Sequence, residues 1–298
     1  MEQAKPVGRF APTPSGRMHL GNVFAAMIAW LAVRSADGTM ILRMEDLDRQ
    51  RTKPEYAEIL RKDLQWLGLT YDCETPPQST RDDIYQHYFD ILQEKGLLYP
   101  CYCTRAQLHS VNAPHQSDGT YIYPGTCRNL TEIPDRPPSW RITVPNRDYA
   151  ISDKVQGIYR ENLQVNCGDF ILRRSDGAFV YQLAVTVDDG LAGVTQVVRG
   201  VDLLSSSPRQ MYLQELLGFQ TPEYAHVPLL VAPDGRRLSK RDRDMDLGIL
   251  QQQKTAPEII GWLAFHAGIL DVCQPVSLQE LIPEFSWDKL KKTNICLG

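Results

Sequence analysis

Apolar residues along the first third of this 298-residue chain fall into short runs separated by longer helical stretches. Val7 to Ala11 predicts a strand, followed by a turn rich in Pro12, Pro14, Ser15 and Gly16 and then a helix from about Leu20 to Ala36. A second strand is predicted at Met40 to Met44. A second helix is predicted at Pro54 to Leu67, carrying apolar residues at Ile59, Leu60, Leu64 and Leu67. Strand, helix, strand in that order predicts a parallel βαβ unit. From Cys101 to about Pro145 the rhythm breaks, with many Pro, Gly, Ser and Asn residues and three cysteines, and this stretch reads as an insertion. Regular elements resume at Phe170 to Arg173 and Phe179 to Val187. Val194 to Val198 reads as a buried strand, and helical periodicity returns at Pro208 to Leu217 and Ala256 to Ala267. There is no internal repeat and no low-complexity tract.

Composition narrows the class without deciding it. Hydrophobic residues make up 43% and charged residues 23%, the balance of an ordinary globular protein. The longest apolar run, Val23 to Val33, is too short to span a bilayer, and Met1 to Phe10 lacks the apolar core of a secretory signal, so a cytoplasmic location is expected. Seven cysteines, with no export signal, point to reduced thiols and a metal site rather than a disulfide framework. A net charge of -4 gives no overall basic field, so nucleic acid would be held by a local patch. Arg236, Arg237, Lys240, Arg241 and Arg243 form one such patch; Lys289, Lys291 and Lys292 read as a solvated face.

Two stretches carry candidate chemistry. The turn Ala11-Pro-Thr-Pro-Ser-Gly-Arg-Met-His-Leu-Gly-Asn22 lies between a strand and a helix, where unpaired backbone N–H groups and a partial positive charge receive phosphate oxygens. His19 and Asn22 add donors to it, although a histidine there also serves as a helix cap. Far downstream, Arg236-Arg-Leu-Ser-Lys-Arg241 follows the turn-forming Pro233-Asp-Gly235, and a lysine on such a loop can neutralise charge growing on departing pyrophosphate.

Together, His19-Leu-Gly-Asn22 and Leu238-Ser-Lys240 resemble the two signatures of class I aminoacyl-tRNA synthetases, whose consensus forms are HIGH and KMSKS. Arg9-Phe-Ala-Pro-Thr-Pro-Ser-Gly16, Arg43-Met-Glu-Asp-Leu-Asp48 and Val198-Arg-Gly-Val-Asp202 narrow the resemblance to the glutamyl and glutaminyl branch. It covers roughly residues 8–241, five strings in the right order. Asn22 stands where the first consensus ends in histidine, and Leu238 and Arg241 vary the second. Only residues 246–298 follow the Lys240 loop, too few for an anticodon-binding helical domain, so the chain is most similar to the glutamyl-Q tRNA(Asp) synthetases.

That resemblance implies an α/β Rossmann-like parallel sheet, with ligand at the carboxyl ends of the strands where sheet order reverses. The expected division is 1–100 and 146–245 as halves of the catalytic domain, 101–145 as a zinc-bearing insertion and 246–298 as a short helical C-terminal region. Cys101, Cys103, Tyr123 and Cys127 match the family's zinc site; His109, His115 and Tyr121 stand as alternatives for the fourth ligand. Cys73, Cys167, Cys273 and Cys296 are expected to be free. Arg9, Thr13, Glu45, Tyr181 and Arg199 match the family's glutamate-binding positions, with Glu45 pairing the substrate ammonium. His19, Gly21, Asn22, Ser239 and Lys240 match its ATP site, with His19 and Lys240 catalytic. Capping by Glu45 and Asp46 and surface ion pairing by Arg9 and Arg199 are the alternative roles for those side chains. The implied partners are ATP with Mg²⁺, L-glutamate and tRNA(Asp) carrying queuosine, acted on by a monomer. A truncated glutamyl-tRNA synthetase charging tRNA(Glu), a small-molecule adenylyltransferase and a non-catalytic paralogue are the rival readings.

Overall fold

The computed structural model describes residues 4–104, 107, 122–232, 235–236 and 246–296. Strand β1 (Val7–Phe10) leads through the Pro-rich turn into helix α1 (Leu20–Arg34), and the chain returns as β2 (Thr39–Leu42). β1 and β2 pair in parallel, with Val7 opposite Thr39 and Phe10 opposite Leu42. Every residue of α1 from Ala26 to Val33 is buried, so this helix runs through the core rather than along the surface. It can lie close on β1 because residue 8 is glycine: a Cβ there would stand 2.3 Å from Val33 Cγ2. Helix α2 (Pro54–Leu67) buries Leu60, Leu64 and Leu67 on one face and ends at Gly68, whose φ of 78° closes a left-handed cap. β3 (Cys73–Glu74) then adds in parallel beside β2.

A different architecture follows. Helix α3 (Asp82–Glu94) buries Tyr85, Phe89 and Leu92 at i, i+4 and i+7. The strands β4 (Leu98–Cys101), β5 (Ser139–Ile142) and β8 (Phe170–Arg173) form an antiparallel sheet, and β6 (Asp148–Asp153) with β7 (Gly157–Asn162) forms a separate hairpin. Helix α4 (Tyr181–Leu191) brings the chain back to the parallel sheet as β9 (Gln196–Gly200), followed by α5 (Ser206–Leu217) and β10 (Glu223–Val227). Pairing of β9 begins at Gln196, two residues later than the apolar run suggests. Gly193 turns at a φ of 64° and the Val194 N–H still closes onto Asp189 O at 2.9 Å, so the turn absorbs those residues.

The parallel sheet has the order β10-β9-β1-β2-β3. From β1 the chain moves outward to β2 and β3, then returns to the other side as β9 and β10, so the order reverses between β1 and β9. A crevice opens there at the carboxyl ends of the strands. The C-terminal region supplies α6 (Leu247–Leu250), α7 (Ala256–Ala267) and α8 (Leu278–Leu281), and a short parallel pair joins β11 (Leu230–Val231) to β12 (Ile295–Cys296). Leu247, Ile260, Leu263, Leu281 and Leu290 share one core with α1, which welds this region to the body of the molecule. No helix among the described residues is long and apolar enough to cross a membrane.

Candidate active site

A cleft of about 430 Å³ occupies the reversal point, and its lining includes Arg9, Thr13, His19, Gly21, Asn22, Glu45, Tyr181 and Arg199. All five expected glutamate positions therefore meet the expected first-signature residues in one space. Ser239 and Lys240 lie outside the described residues. The chain just beyond them reaches the same cleft: His19 and Asp246 form an antiparallel bridge, and the Leu247 N–H donates to Met18 O at 3.0 Å. Arg17 reinforces this contact, giving its NH2 to Asp63 Oδ1 at 2.8 Å and to Gln251 Oε1 at 2.5 Å, while Gln251 Nε2 donates to Asp63 at 3.1 Å.

At the inner end, buried charge is tightly organised. Arg43, fully buried, donates to Asp189 Oδ1 at 2.6 Å and to Glu45 Oε1 at 3.1 Å. Arg9 also meets Asp189, at 3.4 Å, and gives NH1 to the carbonyl of Val198. Neither Arg9 nor Arg199 is a surface residue, at 4% and 5% exposure. Burial raises the Glu45 carboxyl, and Arg43 and Arg9 oppose that effect without cancelling it. Asp46 does not cap α2; it accepts from the backbone and hydroxyl of Ser79 at 2.8 and 2.6 Å.

Arg199 differs from its neighbours. Its Nε donates to His226 Nε2 at 3.0 Å, its NH1 to the Tyr181 hydroxyl at 3.3 Å and its NH2 to Ser207 Oγ at 2.6 Å. All three partners are uncharged, since burial drives the His226 imidazolium from its ordinary 6.5 down to about 4. Among the described residues Arg199 makes no ion pair. A buried guanidinium left without a carboxylate is strongly destabilising unless an anion joins it. The planar fork of a guanidinium suits a carboxylate or a phosphate as that anion.

At the outer end, His19 caps α1. Its Nδ1 accepts from the Gly21 N–H at 3.1 Å and its backbone N–H donates to Asn22 Oδ1 at 3.2 Å. Capping and ligand binding are compatible here: with Nδ1 accepting, the neutral ring carries its proton on Nε2. Among the described residues no acceptor meets the Asn22 amide nitrogen, which sits at the N-terminus of a helix that has no acidic residue in its first turn. Gly16, at a φ of 145°, lets the preceding turn fold into the cleft wall.

Residues 6–286 match the family model of tRNA synthetases class I (E and Q), catalytic domain. A glutamyl-Q tRNA(Asp) synthetase of Symbiobacterium thermophilum is 45% identical, the match spanning 96% of this chain and 94% of the relative. One from Nitratidesulfovibrio vulgaris is 48% identical over 88% of this chain and 86% of its own. The chain belongs to the glutamyl-Q tRNA(Asp) synthetases of class I. Among solved structures, a glutamate tRNA ligase from Elizabethkingia meningosepticum in complex with its amino acid superposes with a TM-score of 0.84 at 28% identity, covering 99% of this chain and 67% of that one.

The synthetase also carries a cysteine cluster at the end of β4. The Sγ atoms of Cys101, Cys103 and Cys127 all lie within 4.8 Å of one another, and the Tyr123 hydroxyl is 3.5 Å from Cys101 and 3.6 Å from Cys103. A tetrahedral zinc with Zn–S bonds of ~2.3 Å holds its sulfurs ~3.8 Å apart, and the Cys103–Cys127 separation is 3.6 Å. The donor set fits zinc in number, softness and spacing. Arg141 stacks 3.8 Å over the Tyr123 ring and gives Nε to Cys101 Sγ at 3.2 Å, supplying positive charge beside the thiols. His109, His115 and Tyr121 lie outside the described residues. None of Cys73, Cys167, Cys273 and Cys296 forms a disulfide.

Sequence reasoning named Arg43 only as part of a string and missed Asp189, Ser207, His226 and Asp153 altogether. A histidine within an apolar strand reads as core, and its partner Asp153 is 73 residues away.

Proposed function

We propose that this chain activates L-glutamate with ATP and transfers it to the queuosine of tRNA(Asp). The observation that carries the reading is Arg199, a buried cation with uncharged partners, in the same cleft as the α1 N-terminus. One end of the cleft calls for a carboxylate and the other for a phosphate.

In this reading Arg199, Arg9 and Tyr181 hold the carboxylates of glutamate, with Thr13 on the wall, and Glu45 receives the ammonium. A substrate ammonium beside Glu45 favours its ionised form, the state that burial disfavours in the free protein. His19, Gly21, Asn22 and the α1 N-terminus receive the phosphates of ATP, and Ser239 and Lys240 neutralise the departing pyrophosphate. The magnesium that class I synthetases use with ATP offsets further phosphate charge when bound. The α-carboxylate oxygen bonds to the α-phosphorus as the bond to the pyrophosphate oxygen breaks, giving glutamyl-adenylate. A cyclopentene hydroxyl of queuosine then bonds to the acyl carbon, and AMP and a proton leave. No protein nucleophile is needed, so orientation in the cleft supplies most of the acceleration. Cys101, Cys103, Tyr123 and Cys127 hold a structural zinc.

Labelled glutamate incubated with ATP and tRNA(Asp), with and without queuosine, tests the acceptor. Label is expected only on the queuosine-bearing tRNA, and label on tRNA(Glu) alone overturns the reading. Lys240→Ala is expected to cut ATP–pyrophosphate exchange by about 100-fold or more, the scale of one lost stabiliser of transition-state charge, with the melting temperature unchanged. Unaltered exchange removes Lys240 from the chemistry.

A further inference from the structure

Behind Arg199 a line of buried polar groups runs away from the cleft. His226 Nε2 accepts from Arg199, and on the far side of the ring Nδ1 lies 2.6 Å from Asp153 Oδ2, with both side chains fully buried. Asp153 sits at the end of β6 and His226 on β10. Neither lines the cleft. Asp153 is itself anchored by backbone donors: Oδ1 accepts from Val155 and Gln156 at 3.0 and 2.8 Å, and the His226 N–H reaches Oδ2 at 3.0 Å. An ionised carboxylate only accepts, so its contact with the ring requires a proton on Nδ1. That leaves Nε2 as a lone pair, the form that the Arg199 Nε–H needs, with the Ser207 hydroxyl 3.2 Å away.

We infer that Asp153 and His226 are positioning residues for the amino-acid site: Asp153 sets the tautomer of His226, and His226 fixes the plane of the Arg199 guanidinium. Three of that group's five N–H bonds are committed to His226, Tyr181 and Ser207, and the fixed plane aims the other two at the substrate carboxylate. This inference rests on Arg199 being the carboxylate receptor.

Asp153→Asn is the decisive variant, because it is nearly isosteric. The asparagine oxygen still accepts the backbone N–H groups, while its amide faces Nδ1 and drives the ring proton to Nε2, where it confronts the Arg199 Nε–H. The KM for glutamate is expected to rise about 10- to 100-fold, the range for one lost hydrogen bond to a charged group, with the ATP KM within about twofold. Nitrogen NMR of His226 should report the tautomer reversal. On a His226→Gln background, which keeps an acceptor near the Nε2 position, Asp153→Asn should add less than about twofold, because there is no ring to invert.

A rise in both KM values alike, or an equal penalty on both backgrounds, overturns the proposal. If Asp153→Asn fails to fold, His226→Gln against His226→Leu decides: equal glutamate KM values refute it, and a higher value for leucine supports it. Arg199→Ala separates the two layers. If that variant leaves the glutamate KM unchanged, the reading of the pocket itself fails. If it raises the KM while Asp153→Asn does not, only the positioning role fails.

Discussion

Arg9 and Arg199 stand on neighbouring strands of the sheet, yet the chain treats them differently. Arg9 shares Asp189 with Arg43, so its charge is met inside the protein. Among the described residues Arg199 hydrogen-bonds only His226, Tyr181 and Ser207 and lies over the Tyr224 ring, all uncharged, and a second charge on His226 would face it across 3.0 Å. Burial, with the Arg199 charge as a smaller contribution, keeps that imidazole neutral, and this preference has a pH signature. His226 falls from 6.5 to about 4 on folding, so between those values the unfolded chain binds a proton that the folded one refuses. Stability from this group is fully present above pH 6.5 and is lost as pH falls toward 4, by on the order of 3 kcal/mol across the window. Asp153, held below its ordinary value by its bonds to His226 and Gln156 despite burial, adds loss in the same direction at lower pH. Urea titrations at pH 7 and pH 5 should show a smaller loss for His226→Gln than for the parent. Equal losses would mean that the ring is protonated in the native state.

The C-terminal helix α7 carries the sharpest prediction at the level of elements. Replacing a mid-helix glycine with alanine ordinarily raises helix stability by about 1 kcal/mol. At Gly261 the outcome reverses, because a Cβ would stand 1.8 Å from the carbonyl oxygen of Gln274, a backbone atom with no rotamer to yield. Gly261→Ala is expected to destabilise by about 1–3 kcal/mol, read as a lower melting temperature; an unchanged or higher one would show that the 274–275 segment moves aside freely. Such contacts between elements are what the sequence conceals. α1 and α2 were legible because their apolar residues repeat locally, and the parallel pairing of β1 with β2 followed from the order of elements. α3 had the same signal at Tyr85, Phe89 and Leu92 and went unread amid the charged residues around it. In the hairpin, β6 alternates buried Tyr149, Ile151 and Asp153 with exposed positions, but one buried position is an aspartate, which weakens the apolar signal. The cleft residues were legible only through the family strings; nothing in spacing ties Asp153 to His226 or Arg43 to Asp189.

Across the whole molecule, three assemblies meet: the parallel sheet with its cleft, the antiparallel strands that cross from one half of that sheet to the other, and the C-terminal region latched to the first-signature turn through Arg17, Asp63 and Gln251. The cysteine cluster belongs to the second. Its apolar company is small, with Tyr99, Cys101, Tyr123, Cys127 and half-buried Cys103 forming a cluster separate from the larger cores. The neighbouring Asp169 hub, which takes Arg128 at 2.6 Å and the Tyr99 hydroxyl at 2.5 Å, fastens the adjoining strand without any metal. Removing zinc should therefore unfasten only the segments that carry the ligands, 101–104 and 122–127, short of the Arg128 anchor. A bound structural zinc contributes on the order of 10 kcal/mol, ample to order segments with so little core of their own. Elemental analysis should find one zinc per chain, lost in Cys101→Ser or on chelation. Hydrogen exchange should then rise at those segments and stay unchanged along β1, β2 and β9. Protection that survives intact at Cys103 and Cys127 after the metal is gone would show that the cluster orders itself. Exchange spreading into the parallel sheet would instead make the metal a support for the cleft.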